Sequence, residues 1–159
     1  MIIYINNKSR IPFFIIIKKN CIRRCKKLIK SSIKILIIED NPGDALLIQE
    51  MLKEVKDIDF EIIHVLRLDE ALKYNLTNNF DVILLDLCLP DSEGIDTFNI
   101  MNYNAPDIPI IVLTGLEDEI FAVSAVGKGA KEYLIKGEVD CKSLLKSIRR
   151  SLDQKVIGK

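Results

Sequence analysis

An α/β fold, a doubly wound sheet of five parallel strands, is predicted by two features of this chain. Short runs rich in Ile, Val and Leu alternate with helix-like stretches five times from Ile33 onward, and the runs are continuous, as strands covered on both faces require. Four of them end on a polar group: Ile35-Leu36-Ile37-Ile38 enters Glu39-Asp40, Val82-Ile83-Leu84-Leu85 enters Asp86, Ile110-Ile111-Val112-Leu113 enters Thr114, and Tyr133-Leu134-Ile135 enters Lys136. Parallel strands joined by crossover helices all point the same way, so these groups gather in one crevice beyond the carboxyl ends of the strands.

The first strand spans 33–38 and the first helix 43–55. Pro42-Gly43-Asp44 opens that helix, and Leu47, Ile48, Met51, Leu52 and Val55 make the apolar stripe of a helix laid on a sheet. A strand over 60–65, a helix over 69–77 and a strand over 81–86 follow. Pro90, Asp91, Ser92 and Gly94 mark the next segment as a turn-rich loop that walls the crevice, and a helix over 95–103 succeeds it. The fourth strand covers 108–113. Glu117, Asp118 and Glu119 put negative charge at the start of the helix over 117–128, where the helix dipole favours it, and Gly127 and Gly129 end it. A strand over 131–135 and a last helix over 139–154, with Leu144, Leu145, Ile148 and Leu152 on one side, complete the pattern.

At 159 residues and 48% apolar content the chain can build one well-buried domain but not two ordinary ones. Its zero net charge hides two unlike parts. Residues 1–33 carry nine Lys or Arg and no acidic residue, whereas the remainder holds fourteen basic and twenty-three acidic residues, a balance of −9. Cys21, Cys25, Cys88 and Cys141 offer neither a disulfide framework nor paired zinc spacing, and read as reduced thiols of a cytoplasmic protein. His64, alone in the second strand, reads as a half-buried, hydrogen-bonded residue rather than a ligand.

Residues 11–17 are apolar for seven positions, one of them Pro12, and lead into Lys18-Lys19, so neither a membrane span nor a cleavable signal is expected. Beyond Lys18, Cys21, Ile22, Cys25, Leu28 and Ile29 share a helical face opposite Lys19, Arg23, Lys26, Lys27 and Lys30. Residues 1–32 thus form a basic, apolar extension with three open readings. It is a disordered leader or a misassigned start, a contact with an anionic membrane surface or partner, or a nucleic-acid contact.

Taken in order after successive strands, Glu39-Asp40, Asp86, Thr114 and Lys136 resemble the receiver domain of two-component response regulators, from about Ile33 to Lys155. The resemblance implies a flavodoxin-like (βα)5 sheet of strand order 2-1-3-4-5, a domain over 33–155 and a tail over 156–159. It places the acidic pair at Glu39 and Asp40, the phosphorylated aspartate at Asp86, the switch hydroxyl at Thr114 and the invariant lysine at Lys136. Tyr133 matches the family's aromatic switch position, with a plain surface aromatic as the alternative reading.

Three converging carboxylates repel one another and raise one or more pKa values unless a cation joins them. Mg²⁺, or Mn²⁺ in its place, resolves the conflict, being a hard ion held by a few carboxylates plus phosphate. Glu39, Asp40, Asp86 and, from the family pattern, the backbone carbonyl of Cys88 would supply part of its shell. By the same resemblance, Asp86 accepts a phosphoryl group from a sensor histidine kinase or a phosphotransfer protein, while Lys136 neutralises charge on the phosphoryl oxygens. Thr114 then binds the phosphoryl group, Tyr133 turns inward, and the changed surface meets a downstream protein target. Such a protein is a signalling phosphoacceptor that assists its own phosphotransfer and dephosphorylation, not an enzyme in the usual sense.

Gly137 stands where many members carry proline, so the cis bond often found there cannot form. Cys88 and Leu116 lie near the phosphate and should limit how water is activated for hydrolysis. Among rivals, a flavodoxin-like cofactor binder needs a glycine- and hydroxyl-rich first loop, whereas Glu39-Asp40-Asn41-Pro42-Gly43-Asp44 is acidic. A metal-dependent phosphohydrolase commonly has a second Asp where Cys88 stands. The nearest rival is a receiver-like module that binds partners without being phosphorylated, usually through loss of a site residue, and none is lost here. Only 23 residues follow Lys136, so no DNA-binding domain is expected, and the chain reads as a single-domain regulator that acts by docking or by passing its phosphate to another histidine.

Overall fold

The structure is a computed structural model that describes residues 32–157; the basic extension, Cys21, Cys25 and the end of the tail lie outside the described residues. In chain order the elements are β1 (Ser32–Ile38), α1 (Pro42–Lys53), β2 (Asp59–Val65), α2 (Leu68–Thr77), β3 (Val82–Asp86), β4 (Cys88–Leu89), β5 (Ser92–Glu93), α3 (Ile95–Asn104), β6 (Ile110–Thr114), α4 (Glu119–Gly127), β7 (Glu132–Ile135) and α5 (Cys141–Ile157). The long strands form one parallel sheet in the order β2-β1-β3-β6-β7, the expected 2-1-3-4-5 once the short β4–β5 hairpin is set aside.

Side chains alternate across the sheet, so each central strand feeds two cores. Leu36, Ile38, Ile83, Leu85 and Val112 meet Phe98 and Met101 of α3 and Ala122 of α4 on one face. Ile35, Ile37, Leu84, Ile111 and Leu113 meet Ile48 and Leu52 of α1 and Leu144 and Ile148 of α5 on the other. All five residues of β3 and all five of β6 are buried, which is why their sequences run apolar without interruption. Of the stripes expected of α1 and α5, Ile48, Leu52, Leu144 and Ile148 are buried and Met51, Val55, Leu145 and Leu152 pack partly buried beside them. Leu47 is an exception: it stays half exposed and Ala45 is buried instead, because the contact line runs through Ala45, Ile48 and Leu52 and Leu47 points sideways from it.

Local chemistry sets the ends of these elements. Asn41 caps α1, its Oδ1 accepting from the N–H of Gly43 at 2.9 Å and of Asp44 at 3.4 Å, with Pro42 in the first turn. The fourth helix begins two residues later than expected because Leu116–Asp118 winds as a 3₁₀ turn. The segment after Asp86 is an antiparallel hairpin rather than a plain loop. It is closed by Gly94, whose N–H donates to the Leu87 carbonyl at 2.7 Å and whose φ of 64° suits a residue without a Cβ. His64 is half-buried as expected, its Nε2 2.8 Å from the Glu39 carbonyl. Among the described residues no helix is long and apolar enough to cross a membrane.

Candidate functional site

Four strands deliver their last residues to one edge of the sheet. Glu39 follows β1, Asp86 ends β3, Thr114 ends β6 and Lys136 follows β7; the register aligns Ile38 with Leu85, Asp86 with Leu113 and Thr114 with Ile135. The parallel ladder therefore brings together groups up to 97 positions apart in the numbering, from Glu39 to Lys136. Carboxylate oxygens of Glu39, Asp40 and Asp86 lie within 4.8 Å of one another. Glu39 is fully buried, Asp86 is 4% exposed, and Asp40 faces solvent.

Lys136 reaches into this cluster. Its Nζ stands 2.7 Å from Glu39 Oε2, 2.7 Å from Asp86 Oδ2 and 3.6 Å from Asp44 Oδ2. Burial disfavours the ammonium, but Asp86 and Glu39 outweigh that effect and its pKa is raised. Burial likewise pushes the Glu39 carboxyl up to about 7; the Lys136 ammonium opposes the rise and the Asp86 charge adds to it. Among the described residues the cluster holds four carboxylates, with Asp44 included, against one ammonium.

Hydrogen bonds fix part of the set. The Cys88 N–H donates to Asp86 Oδ1 at 3.1 Å, and the Asn41 N–H donates to Glu39 Oε1 at 3.1 Å. Glu39 Oε2 is buried, and although the Lys136 ammonium is near, the contact lacks hydrogen-bond alignment. An all-oxygen donor set with surplus negative charge and a poorly satisfied buried carboxylate oxygen fits a hard divalent cation.

The two residues expected to act as a switch, Thr114 and Tyr133, direct their hydroxyls away from the carboxylate cluster. Thr114 is buried, and its hydroxyl donates to the adjoining Gly115 carbonyl at 3.0 Å rather than to Asp86. The Lys136 N–H donates to the Thr114 carbonyl at 2.9 Å, joining the two strand ends. Tyr133 is turned away, its hydroxyl donating to Glu119 Oε1 of α4 at 2.8 Å, a bond that raises the phenol pKa. The Cys88 thiol donates to Asp118 Oδ2 at 3.4 Å, and burial, helped by Asp118, pushes it up to about 11, so it is no nucleophile at neutral pH.

The structure thus groups Glu39, Asp40, Asp86 and Lys136, sets Thr114 beside them and holds Tyr133 apart. Sequence reading missed Asp44, Asp118 and Glu119 as partners. Asp44 signalled only as part of an acidic first loop, and the other two only as helix-dipole charges, since nothing in their spacing names a thiol or a phenol across the fold.

The sequence matches the response regulator receiver domain family over residues 35–149. It is 36% identical over 120 residues to response regulator ArlR of Staphylococcus saprophyticus, an alignment covering 75% of this chain and 52% of that one. Chemotaxis protein CheY of Listeria monocytogenes is 28% identical over 107 residues, covering 65% of this chain and 86% of the relative. The crystal structure of a receiver domain protein from Clostridium thermocellum superposes with a TM-score of 0.69 at 28% identity, covering 79% of this chain and 98% of that one. The chain belongs to the response regulator receiver domain family of two-component systems. It spans about half the length of ArlR and most of the length of CheY. Receiver domains are signalling phosphoacceptors that bind Mg²⁺ through an acidic pocket and interact with histidine kinases and downstream targets.

Proposed function

We infer that Asp86 is the phosphoacceptor of this chain and that the donor is a phosphohistidine on a sensor kinase or phosphotransfer protein. The observation that carries this reading is the setting of Asp86: a nearly buried carboxylate at the end of β3, held by the Cys88 N–H and the Lys136 ammonium beside two further carboxylates. An Asp86 oxygen forms the bond to phosphorus as the phosphorus–nitrogen bond breaks; the imidazole leaves with the electron pair and keeps or regains a proton. Glu39, Asp40 and Asp86, with the carbonyl of Cys88, would hold Mg²⁺ or Mn²⁺, which supplies positive charge to the phosphoryl oxygens.

Lys136 then shares its ammonium with the new phosphoryl group instead of bridging Glu39 and Asp86 alone. Thr114 rotates its hydroxyl from the Gly115 carbonyl toward a phosphoryl oxygen, and Tyr133 leaves Glu119 for the space so vacated. One local charge event thereby biases a two-state surface made by α4, β7 and α5, and output passes through protein contacts of that surface. The receiver unit on this reading spans 33–155, with 1–32 as a basic extension and 156–159 as a tail. The test is treatment with a small phosphodonor. In Mg²⁺ the chain should gain one phosphoryl group on the peptide that holds Asp86, and in chelator none; no gain in Mg²⁺ would favour the non-phosphorylated interaction module.

A further inference from the structure

Helix α2 receives no side-chain cap from its N-cap position. Its preceding residue, Arg67, makes no side-chain hydrogen bond to the helix start, yet the first N–H groups are not left bare. Asp91, at the apex of the β4–β5 hairpin, takes them from a distant part of the chain: its Oδ1 accepts from the Leu68 N–H at 3.0 Å and its Oδ2 from the Asp69 N–H at 2.9 Å. The carboxylate is mostly buried, 14% exposed, and the Arg67 guanidinium stands 4.0 Å away. A negative group shared by two backbone donors at the positive end of a helix is a strong form of this contact.

The hairpin that carries Asp91 also carries the acceptor loop. The Cys88 N–H holds Asp86, Cys88 pairs with Glu93, and the Leu87 carbonyl accepts from Gly94 and from the buried Thr97 hydroxyl, whose oxygen also lies 2.8 Å from Ser92 Oγ. At the other end of the link, α2 follows β2, whose Val65 carbonyl accepts from the Glu39 N–H at 3.1 Å and whose His64 meets the Glu39 carbonyl. A path of hydrogen bonds and short covalent segments therefore runs from Glu39 through the end of β2 and the start of α2 to Asp91, and on through the hairpin to Cys88 and Asp86. Asp91 is the link by which the hairpin joins α2.

We propose that Asp91 is a positioning residue for the cation site: by pinning the hairpin to α2 it sets the distance between the Glu39 side of the cluster and the Asp86–Cys88 side. This rests on the phosphoacceptor reading above. Asp91 touches neither the cation nor the phosphoryl group; it acts through the backbone that presents Cys88. Its loss should weaken cation binding while leaving the rate at saturating cation nearly unchanged.

The experiment compares Asp91→Ala, Asp91→Asn and Glu70→Ala in the full chain, by calorimetric titration with Mg²⁺ and by phosphodonor labelling across Mg²⁺ concentrations. Glu70→Ala is the control, since Glu70 Oε2 accepts from the Leu66 N–H at the same helix start without touching the hairpin. Asp91→Ala should weaken Mg²⁺ about tenfold, and Asp91→Asn, which keeps one acceptor oxygen, about threefold; Glu70→Ala should stay within about twofold. Saturating Mg²⁺ should return the Asp91 variants to nearly the full labelling rate. Mg²⁺ affinity in Asp91→Ala that matches Glu70→Ala would overturn the proposal and leave Asp91 a helix cap alone. Should Asp91→Ala not fold, Asp91→Asn decides: weakened Mg²⁺ binding supports the link and unchanged binding overturns it. Failure of the unsubstituted chain to bind Mg²⁺ or take phosphate would instead contradict the phosphoacceptor reading, and this one with it.

Discussion

From Ile35 to Ile38 and from Val82 to Asp86 every residue is buried, whereas all four residues of β7 are half-buried and α4 leaves Ile120, Phe121 and Val123 open to solvent. The first region ends on the carboxylates, Asp86 within it and Glu39 and Asp40 directly after it. The second holds Tyr133 and adjoins Lys136. Phosphoryl transfer needs a nucleophile and cation ligands fixed in place, and close packing on both faces of β1 and β3 supplies that rigidity. A switch needs two arrangements of similar energy, which a half-packed strand beside an apolar, exposed helix permits. On the proposed phosphoacceptor reading, the difference separates the chemical part of the domain from its signalling part.

The largest effect expected at the rigid end is electrostatic. The Glu39 carboxyl, ordinarily near 4.5, sits near 7 in the folded domain, so the folded state holds a proton that the unfolded chain has released. Its contribution is fully present below about pH 4.5 and is lost as pH rises through about 7, by up to about 3 kcal/mol. Denaturation in chelator should therefore show stability falling across that window, and Glu39→Gln should flatten the slope. Mg²⁺ should stabilise the domain more on the alkaline side of the window than on the acid side. A slope unchanged by Glu39→Gln would show that the buried charge is not at Glu39.

Lys136→Ala tests how the two regions meet. Without the ammonium, phosphodonor labelling should slow about a hundredfold, while Mg²⁺ binding, freed from a competing cation, should be no weaker. Equal loss of both would mean that the lysine shapes the site rather than acting on phosphoryl charge. Thr114→Ala should leave labelling of Asp86 in place but shrink the response of the second region, for which coupling free energies of about 1 to 3 kcal/mol are usual. Amide exchange between Leu113 and Lys142 is the measurement, and a response of undiminished size would remove Thr114 from the path.

The smallest effect belongs to the exposed contact between Tyr133 and Glu119. Glu119→Ala removes the acceptor that holds the ring outward, so amide exchange along β7 in the unphosphorylated chain should change about two- to threefold toward the phosphorylated pattern. No change there would make the contact incidental.

Sequence reading reached the sheet and the residues at its carboxyl edge because both depend on short-range regularities, apolar runs and the polar residues that end them, whereas the strand order came with the family resemblance. It did not reach the β4–β5 hairpin, whose two-residue strands are too short to show a period. Nor did it find the exposure of Leu47, which depends on which of several near-equivalent helical angles faces the sheet. The contacts of Asp44, Asp91, Asp118 and Glu119 lay hidden for a different reason. Each joins segments brought together only by the fold, and a carboxylate at a helix start or in a turn gives the same sequence signal whether it faces water or a distant donor.

The central claim is that Asp86, in the rigid region, carries the phosphoryl group in a cation-dependent reaction. Asp86→Asn keeps the shape of the side chain and removes its anionic nucleophile, so intact-mass analysis after phosphodonor treatment in Mg²⁺ tests the claim most directly. The account predicts one added phosphoryl group on the unsubstituted chain, none on Asp86→Asn and none on either in chelator. A phosphoryl group that survives on Asp86→Asn, or that is incorporated equally well in chelator, would contradict it.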